Sequence, residues 1–329
     1  MSGVFGLNIS VALCTYNGEK FLAEQLKSIA RQSRAPNELV VCDDGSSDLT
    51  LEILENFAEA SRFPVRIFCN EKNLGSTKNF EKAISLCNGG IIALSDQDDV
   101  WLPEKLELIE TEFLNNPHVH AVFTDARVVD ASLQPLGFSL WKSINFDPPL
   151  QKAFSQGQGL SILTKGNVVT GATMAFRSVY RDLILPIPKI WVHDAWIAIL
   201  LAAVAEISFI PGKLTLYRQH ADNQIGAAEG KRGVLSEVST AKEWGPDEIF
   251  SKAKRLTLAL NRLSESPHSS AARLELPREA IRHLLARRAI HKKGIGAIPL
   301  ALCELLSGHY HLYSKGLRSF VRDVAGNSL

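Results

Sequence analysis

The first 130 residues alternate short apolar segments with segments of helical periodicity, and this alternation limits the possible folds more than any other feature. The apolar segments are continuous, as in strands that are covered on both faces. They are Ile9–Cys14, Leu39–Cys42, Val65–Cys69, Ile91–Ser95 and Val119–Thr124. Helical spacing separates them, over Lys20–Arg31, Leu49–Ser61, Thr77–Cys87 and Pro103–Asn115. This order predicts an α/β fold with a mainly parallel sheet and helices on both faces.

Beyond residue 130 the pattern weakens. Residues 131–165 contain three prolines and several glycines, and we expect a long active-site loop there. Apolar segments then return as strand-like Val168–Phe176, helix-like Asp194–Val204, and strand-like Ile207–Ile210 and Leu214–Arg218. A break rich in Gly, Ala and Glu at 226–233 precedes a region of helical pattern. We therefore predict a catalytic domain over 1–226, with halves 1–130 and 131–226, and a helical C-terminal extension over 227–329.

Composition narrows the class of protein. The formal net charge of +1 gives no sign of a general nucleic-acid surface. The amino end has no basic region before an apolar one, and the longest apolar run, Ala195–Ala205, is too short to span a bilayer. Five cysteines without a CxxC pair suit reduced thiols. We expect a cytoplasmic protein that binds no nucleic acid.

Three polar clusters follow predicted strands directly. They are Thr15-Tyr16-Asn17, Asp43–Ser46 and Asp96–Asp99. Ligands of open α/β sheets bind beyond the carboxyl ends of the strands. Three clusters at one edge of the sheet therefore predict a single site.

The acidic loop, residues Asp96–Asp99, places three carboxylates within four positions. Unpaired, they would repel one another and their pKa values would rise. A divalent cation resolves this conflict, and Mg²⁺ or Mn²⁺ prefers oxygen ligands together with phosphate. A solvated turn or a cap for the following helix is the alternative for an isolated motif. The position at the ligand-binding edge favours the metal.

Four separated motifs resemble those of family 2 glycosyltransferases with a GT-A fold. They are VALCTYNG from Val11, VCDDGSSD from Val41, Asn73-Leu-Gly75 with Asn79, and SDQDDVW from Ser95. The resemblance covers roughly residues 8–220 in matching order. The segment SDQDDVWLPEKL is similar to the corresponding segment of rhamnosyltransferase-like members that build bacterial cell-surface polysaccharides.

The resemblance assigns the first two clusters to the nucleotide-sugar donor. Asp44, with Asp43 beside it, would hold the base and the ribose, because a carboxylate accepts hydrogen bonds from a base N–H or a hydroxyl. Thr15 and Asn17 would line the same pocket. An Asp-Gly turn with Asp48 as a helix cap is compatible with this assignment.

The resemblance also assigns residues of the third cluster and of the element before it. Gly75 and Asn79 match an element under the nucleotide. Asp96 and Asp98 match the family's DxD motif, in which the last Asp binds the metal and the first contacts ribose or a metal-bound water. Asp99 would be an additional ligand or would hydrogen-bond to one of the ligands.

The second half supplies the candidate base and acceptor contacts. Asp194 is the candidate general base that takes the proton of the acceptor hydroxyl, and it also suits an N-terminal helix position. Family members commonly carry Glu before this Asp, whereas this chain has His193, for which we expect an acceptor contact. Thr170 and Gly171 resemble the acceptor-side strand, although small residues there also serve packing.

Two further residues lie in a motif that matches the family's Tyr-Arg-x-His element. His220 is a candidate third metal ligand, although a single histidine is more often structural. Arg218 is expected to meet the diphosphate oxygens. Processive members carry a Gln-x-x-Arg-Trp motif and membrane helices, and this chain has neither. The resemblance therefore implies one transfer per acceptor encounter.

The C-terminal segment interleaves basic and apolar residues, with no acidic residue from Ala280 to Cys303. Its basic residues are Arg282, Arg287, Arg288, Lys292 and Lys293. One interpretation is a helical appendage that packs on the catalytic domain or mediates homo-oligomerisation, with its basic face in solvent. The other is an interfacial segment on anionic lipid at the inner face of the cytoplasmic membrane.

Together these features predict an inverting, non-processive glycosyltransferase. Its donor would be a dTDP- or UDP-sugar, with L-rhamnose as one candidate, and its acceptor a glycan or a lipid-linked oligosaccharide. A catalytically silent sugar- or partner-binding scaffold is one alternative. A sugar nucleotidyltransferase is another, but such enzymes begin with a Gly-rich basic loop after the first strand, and the segment Thr15–Lys20 has one glycine.

Overall fold

The computed structural model of the chain describes residues 7–220, residue 223 and residues 245–325. The break predicted at 226–233 and the domain boundary at 226/227 lie outside these residues. The strands are β1 (Ile9–Thr15), β2 (Glu38–Asp43), β3 (Val65–Cys69), β4 (Ile91–Asp96), β5 (Val100–Trp101), β6 (Val119–Val129), β7 (Pro135–Ser139), β8 (Met174–Arg177) and β9 (Glu206–Arg218).

Helices surround the sheet and form the C-terminal region. Those of the catalytic domain are α1 (Leu22–Ala30), α2 (Thr50–Ala60), α3 (Ser76–Leu86), α4 (Lys105–Asn115), α5 (Leu140–Ser143), α6 (Pro148–Ala153), α7 (Gly159–Lys165), α8 (Arg181–Ile184) and α9 (His193–Val204). Those of the extension are α10 (Pro246–Ser264), α11 (Ala271–Lys293), α12 (Ile298–Leu306), α13 (His309–Tyr313) and α14 (Leu317–Ala325).

One sheet contains all of these strands, in the order β3-β2-β1-β4-β8-β6-β9-β5, with β7 paired to β6. Strands β1 to β4 pair in parallel, as the alternating pattern predicts. Strand β8 then runs antiparallel to both β4 and β6, while β6 and β9 are parallel. The sheet is therefore parallel in its first half and mixed in its second.

The predicted loop at 131–165 is wrong, because this segment folds into β7, α5, α6, a π-helical turn and α7. Its aromatic side chains supply the reason. Trp141, Phe146 and Phe154 are buried against one another and against Phe123 and Phe209, with ring centroids 5.0 to 6.1 Å apart. Aromatic burial of this extent holds short helices that lack a regular apolar period of their own.

Two other predicted strands have different limits. In the segment Val168–Phe176, residues 171–173 form a 3₁₀ turn in which the Thr173 amide donates to the Thr170 carbonyl at 2.9 Å, so the strand begins only at Met174. The two short strands predicted after α9 are one strand, β9. Pro211 and Gly212 lie inside it, where its register against β6 shifts.

Alternate side chains of the central strands enter two apolar cores, one on each face of the sheet. Helices α1, α2 and α4 cover one face, and α3 and α9 cover the other. Helices α10 and α11 add Ile249, Leu256, Leu263 and Leu284 to the core that contains α9. This part of the extension therefore packs on the catalytic domain, as the first of the two interpretations expects.

The basic side chains of the extension do not share one environment. Arg287 is 6% exposed, which corrects the expectation that it lies on a solvated basic face. It forms two hydrogen bonds with the buried carboxylate of Asp323 in α14, at 2.7 and 2.9 Å. Within the described ranges, no helix combines the length and the apolar character that crossing a bilayer requires.

Candidate functional site

The three polar clusters meet at the carboxyl edge of the parallel strands. Thr15 is paired with Asp43 on β2, and Cys14 with Asp96 on β4. The Thr15 hydroxyl donates to Asp43 at 2.8 Å. The side chain of Gln97 exchanges two hydrogen bonds with the Tyr16 backbone, at 2.7 and 3.0 Å. The acidic loop is thus attached directly to the loop after β1.

The two adjacent aspartates of the second cluster differ in their free hydrogen-bonding capacity. Asp43 is fully buried and accepts four hydrogen bonds, from Thr15 Oγ1, the Gly45 amide, and the amide and hydroxyl of Ser46. A carboxylate has about four acceptor positions. These bonds fill the acceptor positions of Asp43, which shapes the turn after β2. The contact expected between Asp43 and the donor stays a prediction.

Asp44 retains one acceptor position. It accepts from Asn70 Nδ2 and the Leu74 amide at 2.8 Å, and from the Gly75 amide at 2.9 Å. Gly75 has a φ of +82°, a conformation that favours glycine. The structure therefore places Asp44 and Gly75 together, where the loop before α3 folds onto β2.

Asn17 and Asn79 hold the same region from two sides. Asn17 is exposed at a φ of +46°, and its side chain accepts from the Ser47 amide at 2.9 Å. Asn79 is 2% exposed, donates to the Cys42 carbonyl at 2.7 Å and accepts from Asn70 at 2.9 Å. In this structure Asn79 positions the strand end, whereas Asn17 faces solvent.

The carboxylates of the acidic loop are crowded and incompletely paired. Burial, the neighbouring Asp98 and then Asp194 raise the pKa of Asp96 to about 7. Burial and the charges of Asp98 and Asp96 raise the pKa of Asp99 well above its ordinary value. Asp99 Oδ1 accepts from the Arg218 amide at 3.1 Å, but its buried Oδ2 has no partner within the described residues.

Asp98 meets the motif after β9. Its Oδ2 atom lies 2.9 Å from His220 Nε2 and accepts from Asn223 Nδ2 at 3.1 Å. The His220 ring also packs against Phe21, with 4.7 Å between centroids and an angle of 37° between the ring planes. The two predicted metal ligands most distant in sequence are therefore neighbours.

A hard divalent cation fits this donor set. Asp99 presents an unpartnered buried carboxylate oxygen, and Asp96 and Asp98 place two more carboxylates beside it. Oxygen ligands of this kind suit Mg²⁺ and Mn²⁺, and a cation removes the repulsion that raises the pKa values.

Arg218 is buried against the acidic loop and hydrogen-bonds to its backbone. It is 2% exposed, its Nε donates to the Asp98 carbonyl at 2.7 Å, and its two Nη atoms donate to the Ala131 carbonyl and to Glu24. The guanidinium also lies over the Phe21 ring. Nε and one N–H of each Nη are thus directed at protein atoms, and the contact expected between Arg218 and a diphosphate stays a prediction.

Asp194 lies at the start of α9, facing the same edge. It is the second residue of the helix rather than its cap, which is Val192. Its carboxylate accepts from the amides of Gly171 and Ala195 and, at 3.4 Å, from Asn167 Nδ2. Burial raises the pKa of Asp194 to about 6 despite these bonds.

His193 is buried beside this carboxylate. Its ring stacks on Phe80 at 3.9 Å, and neither ring nitrogen has a hydrogen-bond partner in the described part of the chain. Burial lowers the pKa of His193 to about 3, so the ring is neutral. A Cβ atom at Gly171 would lie 2.6 Å from its Nε2, which explains the glycine there. Thr170 is half-buried, and its carbonyl closes the adjoining 3₁₀ turn.

Four site residues were missed by the sequence predictions: Gln97, Lys105, Asn167 and Asn223. Lys105 is 1% exposed, and its ammonium group donates to the Ala172 carbonyl at 2.6 Å and to Thr215 at 3.0 Å. Burial lowers its pKa to about 7, against the opposing effect of Asp99. Its place six residues after Asp99, at the start of α4, was the available signal. Gln97, Asn167 and Asn223 could not be predicted, because their hydrogen-bond partners are set by the tertiary fold.

Comparisons with known proteins show which sequences this chain resembles. The chain is 30% identical to the dTDP-rhamnosyl transferase RfbG of Shigella flexneri over 222 residues, covering 65% of this chain and 74% of that protein. It is 27% identical to an uncharacterized glycosyltransferase of Nostoc, covering 68% of each. A glycosyltransferase of Haemophilus influenzae matches at 33% identity over 35% of each chain.

Solved structures show the same GT-A fold. S. aureus TarS in complex with UDP-GlcNAc superposes with a TM-score of 0.55 at 18% identity, covering 97% of this chain and 82% of that one. The mannosyltransferase PcManGT of Pyrobaculum calidifontis, in complex with GDP-Man and Mn²⁺, superposes with a TM-score of 0.51 at 18% identity, covering 93% and 76%. The family model "Glycosyl transferase family 2" matches residues 10–183. The chain therefore belongs to glycosyl transferase family 2 and is a glycosyltransferase.

Proposed function

We propose that this glycosyltransferase is inverting and non-processive, and that it transfers a sugar from a dTDP- or UDP-sugar to a glycan or lipid-linked acceptor. One observation carries the proposal. A buried carboxylate, Asp194, lies close enough to Asp96 of the acidic loop to raise the pKa of that group. A base and a diphosphate site in such proximity are what a single displacement at an anomeric carbon requires.

Asp194 is the proposed general base. The acceptor oxygen forms a bond to the anomeric carbon while its proton passes to the Asp194 carboxylate. The bond between that carbon and the diphosphate oxygen breaks, and the nucleoside diphosphate leaves with the electron pair. A pKa of about 6 leaves the carboxylate ionised near neutral pH yet basic enough to accept the proton. The backbone amides that hold it fix its direction.

Asp98, Asp99 and His220 are the proposed ligands of Mg²⁺ or Mn²⁺, with Asp96 contacting the donor. When bound, the ion neutralises charge on the departing diphosphate. Arg218 acts as a positioning residue, since it ties the backbone of Asp98 to β9.

For the nucleotide, we propose contacts with Asn17, with the remaining acceptor position of Asp44, and with the backbone at Gly75. Thr15, Asp43 and Asn79 then position the loops that carry these contacts. The dTDP assignment is supported by the name of the S. flexneri relative. UDP is supported by the ligands of the TarS structures. His193, Thr170 and Gly171 are proposed to face the acceptor, since they adjoin Asp194.

We also propose that the last helices rest on anionic lipid, which would bring the site to a lipid-linked acceptor. Residues 271–325 contain ten Lys or Arg and four Asp or Glu, a formal charge of +6 in a chain whose total is +1. Exposed apolar side chains accompany this charge, including Leu302, Leu306, Leu317 and Val321. Apolar groups with surrounding cations are typical of interfacial helices. Sedimentation with phosphatidylglycerol vesicles, but not with phosphatidylcholine vesicles, is expected, and Val321→Glu with Leu306→Glu should abolish it.

The core proposal is tested by thermal denaturation with a panel of nucleotide sugars, with and without Mn²⁺. Stabilisation by a UDP- or dTDP-sugar should require the metal and should vanish in Asp98→Ala. Binding that is independent of the metal and survives Asp98→Ala would contradict the assignment of the acidic loop. Donor binding without transfer or hydrolysis, with any acceptor glycan tried, would favour a silent scaffold.

A further inference from the structure

Three side chains of the C-terminal extension converge in a way that this function does not use. His283 in α11 and His309 in α13 both direct Nδ1 at one oxygen, Oε2 of Glu304 in α12, at 2.6 and 3.1 Å. One potential ligand atom from each residue lies within 4.8 Å of the others. Two ligands of one tetrahedral zinc ion, each about 2.1 Å from the metal, are about 3.4 Å apart. Small shifts of the three side chains would therefore be enough for them to bind one ion.

A surrounding shell already fixes the most buried of the three rings. The side chain of His283 is completely buried, and its Nε2 lies 2.9 Å from Ser314 Oγ. Arg287 Nη1 donates to the same Ser314 oxygen at 3.0 Å. A histidine that binds a metal through one ring nitrogen usually has the other held by such a partner.

The chemistry of the cluster favours zinc over a hard cation. Two imidazoles and one carboxylate are common zinc ligands, whereas Mg²⁺ prefers oxygen alone. The side chains of Glu304 and His309 are 13% and 25% exposed, which gives an ion access from solvent.

We propose that His283, Glu304 and His309 form a zinc site that joins α11, α12 and α13, separate from the acidic loop. Three protein ligands leave the fourth tetrahedral position to water. The site also selects the tautomer of His283. Without the ion, Nδ1–H donates to the Glu304 carboxylate and Nε2 accepts the Ser314 hydroxyl. With the ion on Nδ1, the ring carries its proton on Nε2 and donates a hydrogen bond to Ser314 Oγ, so that the ring itself stays neutral.

The test is a Zn²⁺ titration by calorimetry on the full-length protein carrying Asp98→Ala, so that the acidic loop contributes no site. One ion per chain is expected to bind. His309→Ala and Glu304→Gln should each weaken binding at least ten-fold. The matched control is His118→Ala, which removes an exposed histidine that also pairs with a carboxylate, Glu206; binding should not change. Co²⁺ should give the visible absorption of a tetrahedral site in the control and not in His309→Ala.

Ser314→Ala tests the site without removing a ligand. A loss of binding in this variant therefore cannot be attributed to a missing ligand side chain. Loss of the outer partner should weaken binding by about 10- to 100-fold while the circular dichroism is unchanged. The ¹⁵N signals of His283 should change from the Nδ1-protonated to the Nε2-protonated pattern on addition of Zn²⁺. No uptake of Zn²⁺, or uptake equal in His118→Ala, His309→Ala and Glu304→Gln, would show that the cluster is held by hydrogen bonds only. The result is independent of the proposed transferase mechanism, which the Asp98→Ala background already disables.

Discussion

Two regions of the molecule bury several charged groups each, and they are organised in opposite ways. At the edge of the sheet, Asp96, Asp99 and Asp194 have pKa values raised by burial, and Asp99 keeps a buried oxygen without a partner among the described residues. In the extension, Asp323 receives two hydrogen bonds from Arg287 and a third from the Tyr310 hydroxyl. The first region holds excess negative charge and the second holds matched charge.

This difference indicates that the carboxylates at the edge of the sheet serve function, whereas Asp323 serves the stability of the fold. A carboxylate that burial has destabilised gains from a ligand, a proton or a metal, and therefore marks a place where the protein binds or reacts. A carboxylate whose acceptor positions are filled by the protein stabilises the fold that surrounds it. Substitutions should accordingly reduce activity in the first region and stability in the second.

The largest effect is expected for Asp194→Asn. Loss of the general base should lower kcat/KM for sugar transfer by about 10²- to 10⁴-fold. The unfolding temperature should fall only slightly: one backbone amide loses its acceptor oxygen, but a neutral amide replaces a carboxylate whose ionised form burial disfavours. Transfer assays and thermal denaturation check the two parts together.

Asp182→Asn is the matched control, since Asp182 is an exposed aspartate near the start of another helix, α8. It should leave both quantities unchanged. A large loss of stability in Asp194→Asn with activity per folded molecule intact would place Asp194 with the matched charges instead, and would remove the base from the mechanism.

Asp323→Ala should have the largest effect in the second region. It leaves the Arg287 guanidinium, 7% exposed, without its bidentate partner. Breaking a buried ion pair in this way costs about 3–5 kcal/mol of the free energy of unfolding. Denaturant unfolding measures it, and transfer activity of the folded protein at low temperature should not change.

The double variant Arg287→Met with Asp323→Leu tests whether the unpaired charge of Arg287 causes the loss of stability in Asp323→Ala. Replacing both charges by apolar groups of similar volume removes the unpaired ion, and such exchanges are often neutral. It should therefore recover most of the stability lost in Asp323→Ala. If the double variant is as unstable as the single one, hydrogen bonding to Ser314 and Tyr310, rather than charge matching, holds this region.

The pH dependence of transfer should follow from the same base. Because burial raises the pKa of Asp194 to about 6 and the base must be ionised, activity should be constant above this pH. Below it, kcat/KM should fall towards ten-fold per pH unit. Profiles of the wild type and of Asp194→Asn distinguish this titration from acid unfolding: the residual activity of the variant should lack the transition near pH 6.

The two regions also differ in how far the sequence predicted them. The strands β1 to β4 end within one residue of their predicted limits, because continuous apolar runs are local and the polar clusters that follow them mark the edge. The loops that carry Asp44, Asp96 and Asp98 therefore lie at the edge of the sheet that the polar clusters predict. The hydrogen bonds of Asp43 were not predicted, since one comes from Thr15 on the neighbouring strand and three come from a turn whose geometry composition does not reveal.

The extension was predicted only as helical. Arg287 belongs to a basic run that suggests a solvated face, and its partner Asp323 is 36 residues away on a different helix. The aromatic segment 131–165 was missed for the same reason, because Trp141 and Phe154 find their partners on β6 and β9. Local patterns predict elements, whereas pairing across the fold depends on packing.

The smallest effect is expected for Arg278→Ala, on the same helix as Arg287. Arg278 is 44% exposed and lies 3.6 Å from Glu275, itself 55% exposed. Solvent screens this pair, so its loss should reduce the free energy of unfolding by less than about 1 kcal/mol, and less again at high salt. Denaturant unfolding of Arg278→Ala and Asp323→Ala at two salt concentrations compares an exposed and a buried ion pair involving one helix. Only the exposed pair should depend on salt. Equal losses in the two variants would mean that burial does not distinguish the charges of the extension, and the contrast between matched and unmatched carboxylates would then rest on the edge of the sheet alone.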